Sequence, residues 1–438
     1  AIYYNPAGLA RLSGPHFYYS HRVVYGATEF RRARTLDWSE ATHGVPRLVE
    51  FEHVSNEEPL FALGPMAVLS SDLGTEDWAF AAGIYAPPAV GKLKFPDDGP
   101  QRYMLVEQDV MMVLYTLGAA WQPHKRFAAG LSFAYVDVPK LAFEMVVDGN
   151  VSPKQVNPEK SRFDIRTRVE GEDRMGFTGN FGLWYEPVNG LQLALAGQFL
   201  PIRIDSKSHL SLQAETLELD DEITITKNGV PDDRVTFSMT MPMKFRAGIR
   251  YVHMRQDREV FDLELDVHYD LWSMMDQYTM DAGITTEVMG QVLDIDQVII
   301  EKNFRDTVSV RLGGDYNVIP RWLTLRAGFF YESPAVRDGY AFLDAFSFHR
   351  FGPSGGFTLH LPHADLSLAY TWLAQNVLVV TEEESRIYQQ MPGSPCPSPY
   401  TDTSLCNEHY LGQPAAPANA GTYQASYHLM NASLAVNF

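Results

Sequence analysis

No stretch of this sequence strings together the roughly 18–20 apolar residues that a membrane-spanning helix needs, although 45% of its 438 residues are hydrophobic. A helical membrane protein is thereby excluded. What remains is a soluble protein or a closed β-barrel, the other architecture that satisfies every backbone amide and carbonyl inside lipid. Basic residues are scarce: 35 Lys and Arg stand against 54 Asp and Glu, a net charge of -19. That excludes nucleic acid as a partner, because phosphate binding rests on clustered cations that release counterions. Cysteine is nearly absent. Cys396 and Cys406 lie close together in a Pro- and Ser-rich stretch, which fits one local disulfide made in an oxidising compartment, a buried thiol pair being the alternative. The motifs of common enzymes are missing too: no Gly-x-Ser-x-Gly elbow, no His-Glu-x-x-His, no Walker or dinucleotide glycine pattern. No signal peptide is legible before Ala1-Ile2-Tyr3-Tyr4, which is uninformative about export.

What is abundant is aromatic: Tyr 22 and Phe 25 contribute to an aromatic share of 12%, which suits rings gathered at two membrane interfaces. Alternation with period two is also abundant, and it is the mark of a barrel strand, which sends one residue to lipid and the next into the lumen. Phe261, Leu263, Leu265, Val267, Tyr269 and Leu271 fall on one face, and Asp262, Glu264, Asp266, His268 and Asp270 on the other. The same rhythm sets Phe245, Ala247, Ile249 and Tyr251 against Lys244, Arg246, Gly248 and Arg250, and Leu323, Leu325, Ala327 and Phe329 against Trp322, Thr324, Arg326 and Gly328.

Connections alternate in length. Short turns are predicted at 71–77, 122–126, 186–190, 253–258, 317–321 and 361–365, and long polar connections at about 31–59, 91–105, 146–172, 206–233, 276–303, 332–346 and 376–424. Six turns and seven loops give fourteen strands, an even number that closes an antiparallel barrel with both chain ends on the periplasmic side. The final strand alternates through Met430, Ala432, Leu434 and Val436 to Phe438, a terminal aromatic like the one read by the outer-membrane assembly machinery. The predicted fold is an all-β, fourteen-stranded transmembrane barrel of the bacterial outer membrane, in contact with its lipid and lipopolysaccharide.

Asn5-Pro6-Ala7-Gly8-Leu9-Ala10 resembles the end of the N-terminal hatch in the FadL/TodX (OmpP1) family of long-chain fatty acid and aromatic hydrocarbon transporters. Further stretches resemble the family in order along the chain: Trp78 to Pro87 its third strand, Gly179 to Tyr185 its sixth, Arg305 to Gly313 its tenth, and Leu325 to Pro334 its eleventh with the Ser-Pro loop. The resemblance implies residues 1–14 as the end of a luminal hatch, residues 15–438 as barrel, and passive transport of a hydrophobic small molecule. Two departures stand out. Only Ala1 to Tyr4 precede the hatch motif, and the third loop, 146–172, is polar where an apolar landing groove is expected. The fourth loop reads as a hairpin over 210–226 that lengthens strands above the membrane.

Luminal charges must be paired or wet, because burying a lone one costs several kcal/mol. Asp262, Glu264, Asp266 and Asp270 of the ninth strand lie between Lys244, Arg246 and Arg250 of the eighth and Arg311 of the tenth, with Arg326 one strand further. The group reads as a structural charge ladder or, alternatively, as an anchor for a ligand head group. His268 beside Asp266 and Asp270 reads as a hydrogen-bonded luminal residue rather than a catalytic dyad. His360 and His363 lack the third ligand a metal site needs, and no cofactor is expected. Pro87 and Pro88 end the third strand. Two residues without amide hydrogens remove ladder bonds, and with the resemblance they predict an inward kink and a lateral opening in the wall. The chain is expected to act as a monomer, with association with other outer-membrane components the further possibility. The alternative function is a structural or adhesive protein that works through its long loops, and a polar-solute porin is a third reading.

Overall fold

The computed structural model describes residues 1–42, 45–87, 91–149, 157–161, 163–215, 220–256, 258–288, 291–345, 347–389 and 417–438. Fourteen strands form the barrel: β1 (His16–Arg32), β2 (Leu60–Ser71), β3 (Trp78–Tyr85), β4 (Glu107–His124), β5 (Phe127–Asp148), β6 (Asp164–Val188), β7 (Leu191–Leu200), β8 (Lys244–Arg255), β9 (Arg258–Asp270), β10 (Thr307–Ile319), β11 (Leu323–Glu332), β12 (Arg350–His360), β13 (Ala364–Gln375) and β14 (Gly421–Asn437). Each pairs antiparallel with the next. β14 closes on β1 from His16↔Asn437 to Arg32↔Gly421. Closure removes the sheet edges that lipid could not hydrate.

The alternation read from sequence sets the two faces. Leu263, Leu265, Val267 and Tyr269 are exposed on the outside of β9, whereas Asp262 is buried within. Outward Tyr25, Leu117, Phe133, Leu195, Leu312 and Trp372 continue that apolar surface around the wall. All six predicted short turns lie between paired strands at one end. In the turn at 189–190, Gly190 has a φ of +85°, and a Cβ there would meet the Val252 carbonyl oxygen at 2.6 Å, so only glycine fits. The first and last strands end beside these turns, where the Phe438 amide donates to Pro15 O at 3.1 Å.

At the opposite end two predicted loops, 206–233 and 276–303, are largely strand, and a third, 146–172, is strand at both its ends. β5 and β6 stay paired up to Asp148↔Asp164, so both ends of the polar stretch 146–172 belong to the wall. Its charges are satisfied laterally: Arg166 and Arg168 reach Glu144 at 2.7 Å each, and Arg168 also reaches Glu107 at 3.2 Å. The hairpin expected over 210–226 is wider, with Arg203–Glu215 running back along Arg234–Thr240 and, on its other edge, along the upper part of β6. The connection 276–303 contains a further hairpin, Gln277–Val288 against Gln291–Glu301. Arg203–Glu215 alternates buried and exposed residues, but Ser206 and Ser208 stand on its buried face, and Gln291–Glu301 mixes polar and apolar residues on both faces, because above the membrane neither face has to be uniformly apolar. Beneath this sheet the rings of Phe143, Phe237 and Tyr278 lie 5.3–5.8 Å apart. Cys396, Cys406 and Pro88 lie outside the described residues.

Candidate functional site

The lumen has two unlike sides. Along β4, β5 and β6 the wall is covered by the first residues of the chain, built around the 3-10 helix Pro6–Arg11. Asn5 caps it: its Oδ1 accepts from Ala7 N at 3.0 Å, and its Nδ2 donates to Leu183 O on β6 at 3.1 Å. Proline follows at the first helical position, where its missing amide costs nothing. The segment lies against the wall because three neighbouring strands present glycine inward at its level. A Cβ on Gly130 would fall 2.5 Å from both Ala7 N and Pro6 C, one on Gly182 2.0 Å from Asn5 Oδ1, and one on Gly118 3.2 Å from Leu9 Cδ1. The predicted motif Asn5, Pro6, Ala7 is therefore at the centre of this contact. The glycine seat itself was missed, although glycine inside a strand is a legible sign of close backbone approach.

The other side carries the charges. Arg250 donates through Nε to Asp262 at 2.8 Å and through Nη2 to Glu259 at 2.8 Å. Asp262 also accepts from Asp315 N at 2.8 Å. Arg326 pairs with Asp315 at 2.9 Å, and Lys244 faces Asp270 at 4.0 Å. Arg311 stands opposite Asp266 in register, but its ion pair is with Glu332, at 3.9 Å, and it covers the Phe330 ring. Glu264 and Asp266 form no ion pair among the described residues, and Asp266 projects over Gly248. Arg246 turns away from the acids: its Nη1 donates to the carbonyls of Tyr4 and Tyr3 at 3.2 and 3.5 Å. The sequence thus placed the ladder residues together without resolving which of them pair. Both nitrogens of His360 are engaged, Nδ1 with Asp365 and Nε2 with Thr324 Oγ1, each at 2.8 Å, while His268 stands opposite Arg246 and Ser309.

Unequal pairing gives a test. Asp262 is 5% exposed and holds an arginine and a backbone amide, whereas Asp365 is 38% exposed and holds one imidazole. Replacing Asp262 by Ala is expected to cost about 2–3 kcal/mol, since it takes one of two carboxylates from a partly buried guanidinium and leaves the Asp315 amide unpaired, and Asp365→Ala less than about 1 kcal/mol. The heat-modified mobility transition of the purified barrel measures both, and equal shifts would remove the structural role given to Asp262.

Among the described residues the regular wall is interrupted beside β3. Ladder pairing with β2 runs only to Ala67↔Ile84, and pairing with β4 to Tyr85↔Leu114. Pairing along β4 resumes at Lys92–Lys94 with Glu107–Asp109. Across from Ala86, β2 carries Gly64-Pro65, where its register with β1 slips between Ser20 and Arg22. Two prolines in neighbouring segments, Pro65 and Pro87, thus fall where amides are not laddered.

A closed fourteen-stranded barrel with an apolar outer face, short turns at one end and a packed luminal segment defines a multi-pass protein of the bacterial outer membrane. The chain belongs to the family of outer membrane transport proteins OMPP1/FadL/TodX, whose profile matches residues 1–395. Among solved structures it is similar to a Pseudomonas aeruginosa FadL homologue, with TM-score 0.71 and 14% identity over 99% of this chain and 93% of that one. It is also similar to the Pseudomonas putida toluene transporter TodX, with TM-score 0.62, 13% identity and coverage of 99% and 92%. The Ralstonia pickettii toluene transporter TbuX gives TM-score 0.61, 14% identity and the same coverage. A comparison with curated proteins finds no match. The family and these neighbours are transport proteins, not enzymes.

Proposed function

We propose that the chain conducts hydrophobic small molecules, long-chain fatty acids or aromatic hydrocarbons, passively across the outer membrane, with residues 1–14 ending a luminal hatch and the exit lying sideways at Pro87 and Pro88. The observation that carries this reading is the ladder lost beyond Tyr85, on the same side of the lumen that residues 1–11 cover. A ligand leaving there passes from lumen to lipid without crossing water, a step that would otherwise oppose it by about 0.8 kcal/mol per methylene. The paired wall of β8 to β12 serves as scaffold, with Arg250 and Asp262 at its centre, and leaves Arg246 bound to the Tyr3 and Tyr4 carbonyls of the hatch. A barrel closed within one chain offers no sheet edge to a second copy, which supports a monomer.

Replacing Pro87 and Pro88 by Val and Thr supplies amides to the wall. Uptake of a labelled hydrophobe is expected to fall at least tenfold in a deletion strain carrying this variant, with heat-modified mobility unchanged. Native uptake through a barrel whose third strand is lengthened would eliminate the lateral exit.

A further inference from the structure

Three buried polar groups gather around Tyr85 and the Tyr3 ring, and apart from the contact of the Tyr85 and Thr116 hydroxyls with each other, which leaves one of those two donors free, they have no hydrogen-bond partner among the described residues. Two are hydroxyls, those of Tyr85 and Thr116, on residues only 3% and 2% exposed. Both point inward: Gly83 lies opposite Thr116 and Leu114 opposite Tyr85 across the β3–β4 pair, so the two side chains are diagonal neighbours on the luminal face. The third is Arg246 Nε. Its guanidinium lies 5.4 Å from the Tyr3 ring and 5.0 Å from that of Tyr4, held by the two backbone carbonyls, and it forms no ion pair among the described residues. Tyr85 approaches the same Tyr3 ring edge-on at 5.2 Å. The Tyr85 ring and the Arg246 guanidinium therefore both pack on one luminal tyrosine, with the Thr116 hydroxyl beside that of Tyr85.

A buried donor left unpaired is a standing cost, relieved when a ligand supplies an acceptor. A bare hydrocarbon passing this point gives these groups nothing, whereas an oxygen on an otherwise apolar molecule accepts from them. Sites built to hydrogen-bond a ligand discriminate strongly against the analogue that lacks the group, since the site is then left unpaired.

We infer that Arg246, Tyr85 and Thr116 select apolar ligands that carry a hydrogen-bond-accepting oxygen over hydrocarbons of the same skeleton. The inference rests on the transport reading above and narrows its substrate class. A neutral carbonyl and a carboxylate share the required chemistry. The carboxylate gains from Arg246 and is opposed by Glu264 and Asp266 on the adjacent strand, so the two heads are separated by measurement.

The full chain, purified in detergent, is titrated with toluene, acetophenone and benzoate, which share a ring and differ in one substituent. Acetophenone, benzoate or both are expected to bind at least tenfold more tightly than toluene, and the member that does so identifies a neutral or an anionic head. Tyr85→Phe and Thr116→Val remove only a hydroxyl and keep the packing around Tyr3. Each should narrow the margin threefold or more, and Arg246→Met, which also releases the Tyr3 and Tyr4 carbonyls, should narrow it as well. Toluene binding as tightly as both oxygenated ligands, or a margin unchanged in all three variants, overturns the selection and leaves the transport reading intact. Absence of binding by all three ligands counts against both.

Discussion

Alanine in place of Gly130 is expected to push residues 5–9 off the barrel wall. The added Cβ would lie 2.5 Å from Ala7 N and Pro6 C and 2.7 Å from Pro6 O. These are backbone atoms of a proline-started helical turn, which cannot rotate aside as a side-chain tip can. Overpacking of this kind costs typically about 1–3 kcal/mol, and the turn also stands to lose the Asn5 to Leu183 hydrogen bond. The neighbouring seats make an internal scale. At Gly182 the nearest atom belongs to the Asn5 cap side chain, and at Gly118 to the mobile ends of Leu9 and Ile2, at 3.2 and 3.3 Å. Amide exchange at residues 7–12 should accelerate most in Gly130→Ala and least in Gly118→Ala. Equal exchange in the two variants would mean that the segment is not held by backbone fit.

A comparably large effect is expected at the other end of the molecule, from Asp344→Ala. Lys302 follows the strand Gln291–Glu301 and is fully buried, its Nζ 2.7 Å from Asp344, 3.7 Å from the Phe342 ring centre and 4.4 Å from that of Tyr278. Burial pulls its ammonium below the usual lysine range, with Asp344 opposing that pull. Removing the carboxylate leaves a cation supported by ring faces alone, which costs about 3–5 kcal/mol for a buried pair broken on one side. Amide exchange in 277–301 should rise by the corresponding factor. The double variant Lys302→Met with Asp344→Leu should recover most of the loss, because a buried ion pair replaced by apolar groups is often neutral. Failure of the double variant to recover would assign the effect to packing rather than charge.

How much could be read beforehand follows from where each residue faces its solvent. In the membrane zone one face of every strand must be apolar, so β9 and β11 were visible residue by residue, and the turns at 253–258 and 317–321 followed from them. Above the membrane that demand lapses. Arg203–Glu215 and Gln291–Glu301 are strands whose charges meet water or each other; the sequence shows the first only as a hairpin beginning at 210 and the second only as part of a polar connection. Within the lumen, composition placed Lys244, Arg246, Arg250, Asp262 and Arg311 on facing strands without giving their partners. Whether Arg246 reaches an acid or the Tyr4 carbonyl depends on rotamers and on the segment packed beside it, and neither has a periodicity. The glycine seat was in plain view as Gly118, Gly130 and Gly182, yet only the folded chain brings them to one height.

The most direct test of the account is transport by cells lacking the chain. Re-expression of the wild-type protein should restore uptake of a labelled hydrophobic compound, acetophenone or a long-chain fatty acid, several-fold above the deletion strain, while uptake of a labelled sugar stays at the deletion-strain level. Equal hydrophobe uptake with and without the protein, or restored uptake of the sugar, would contradict it.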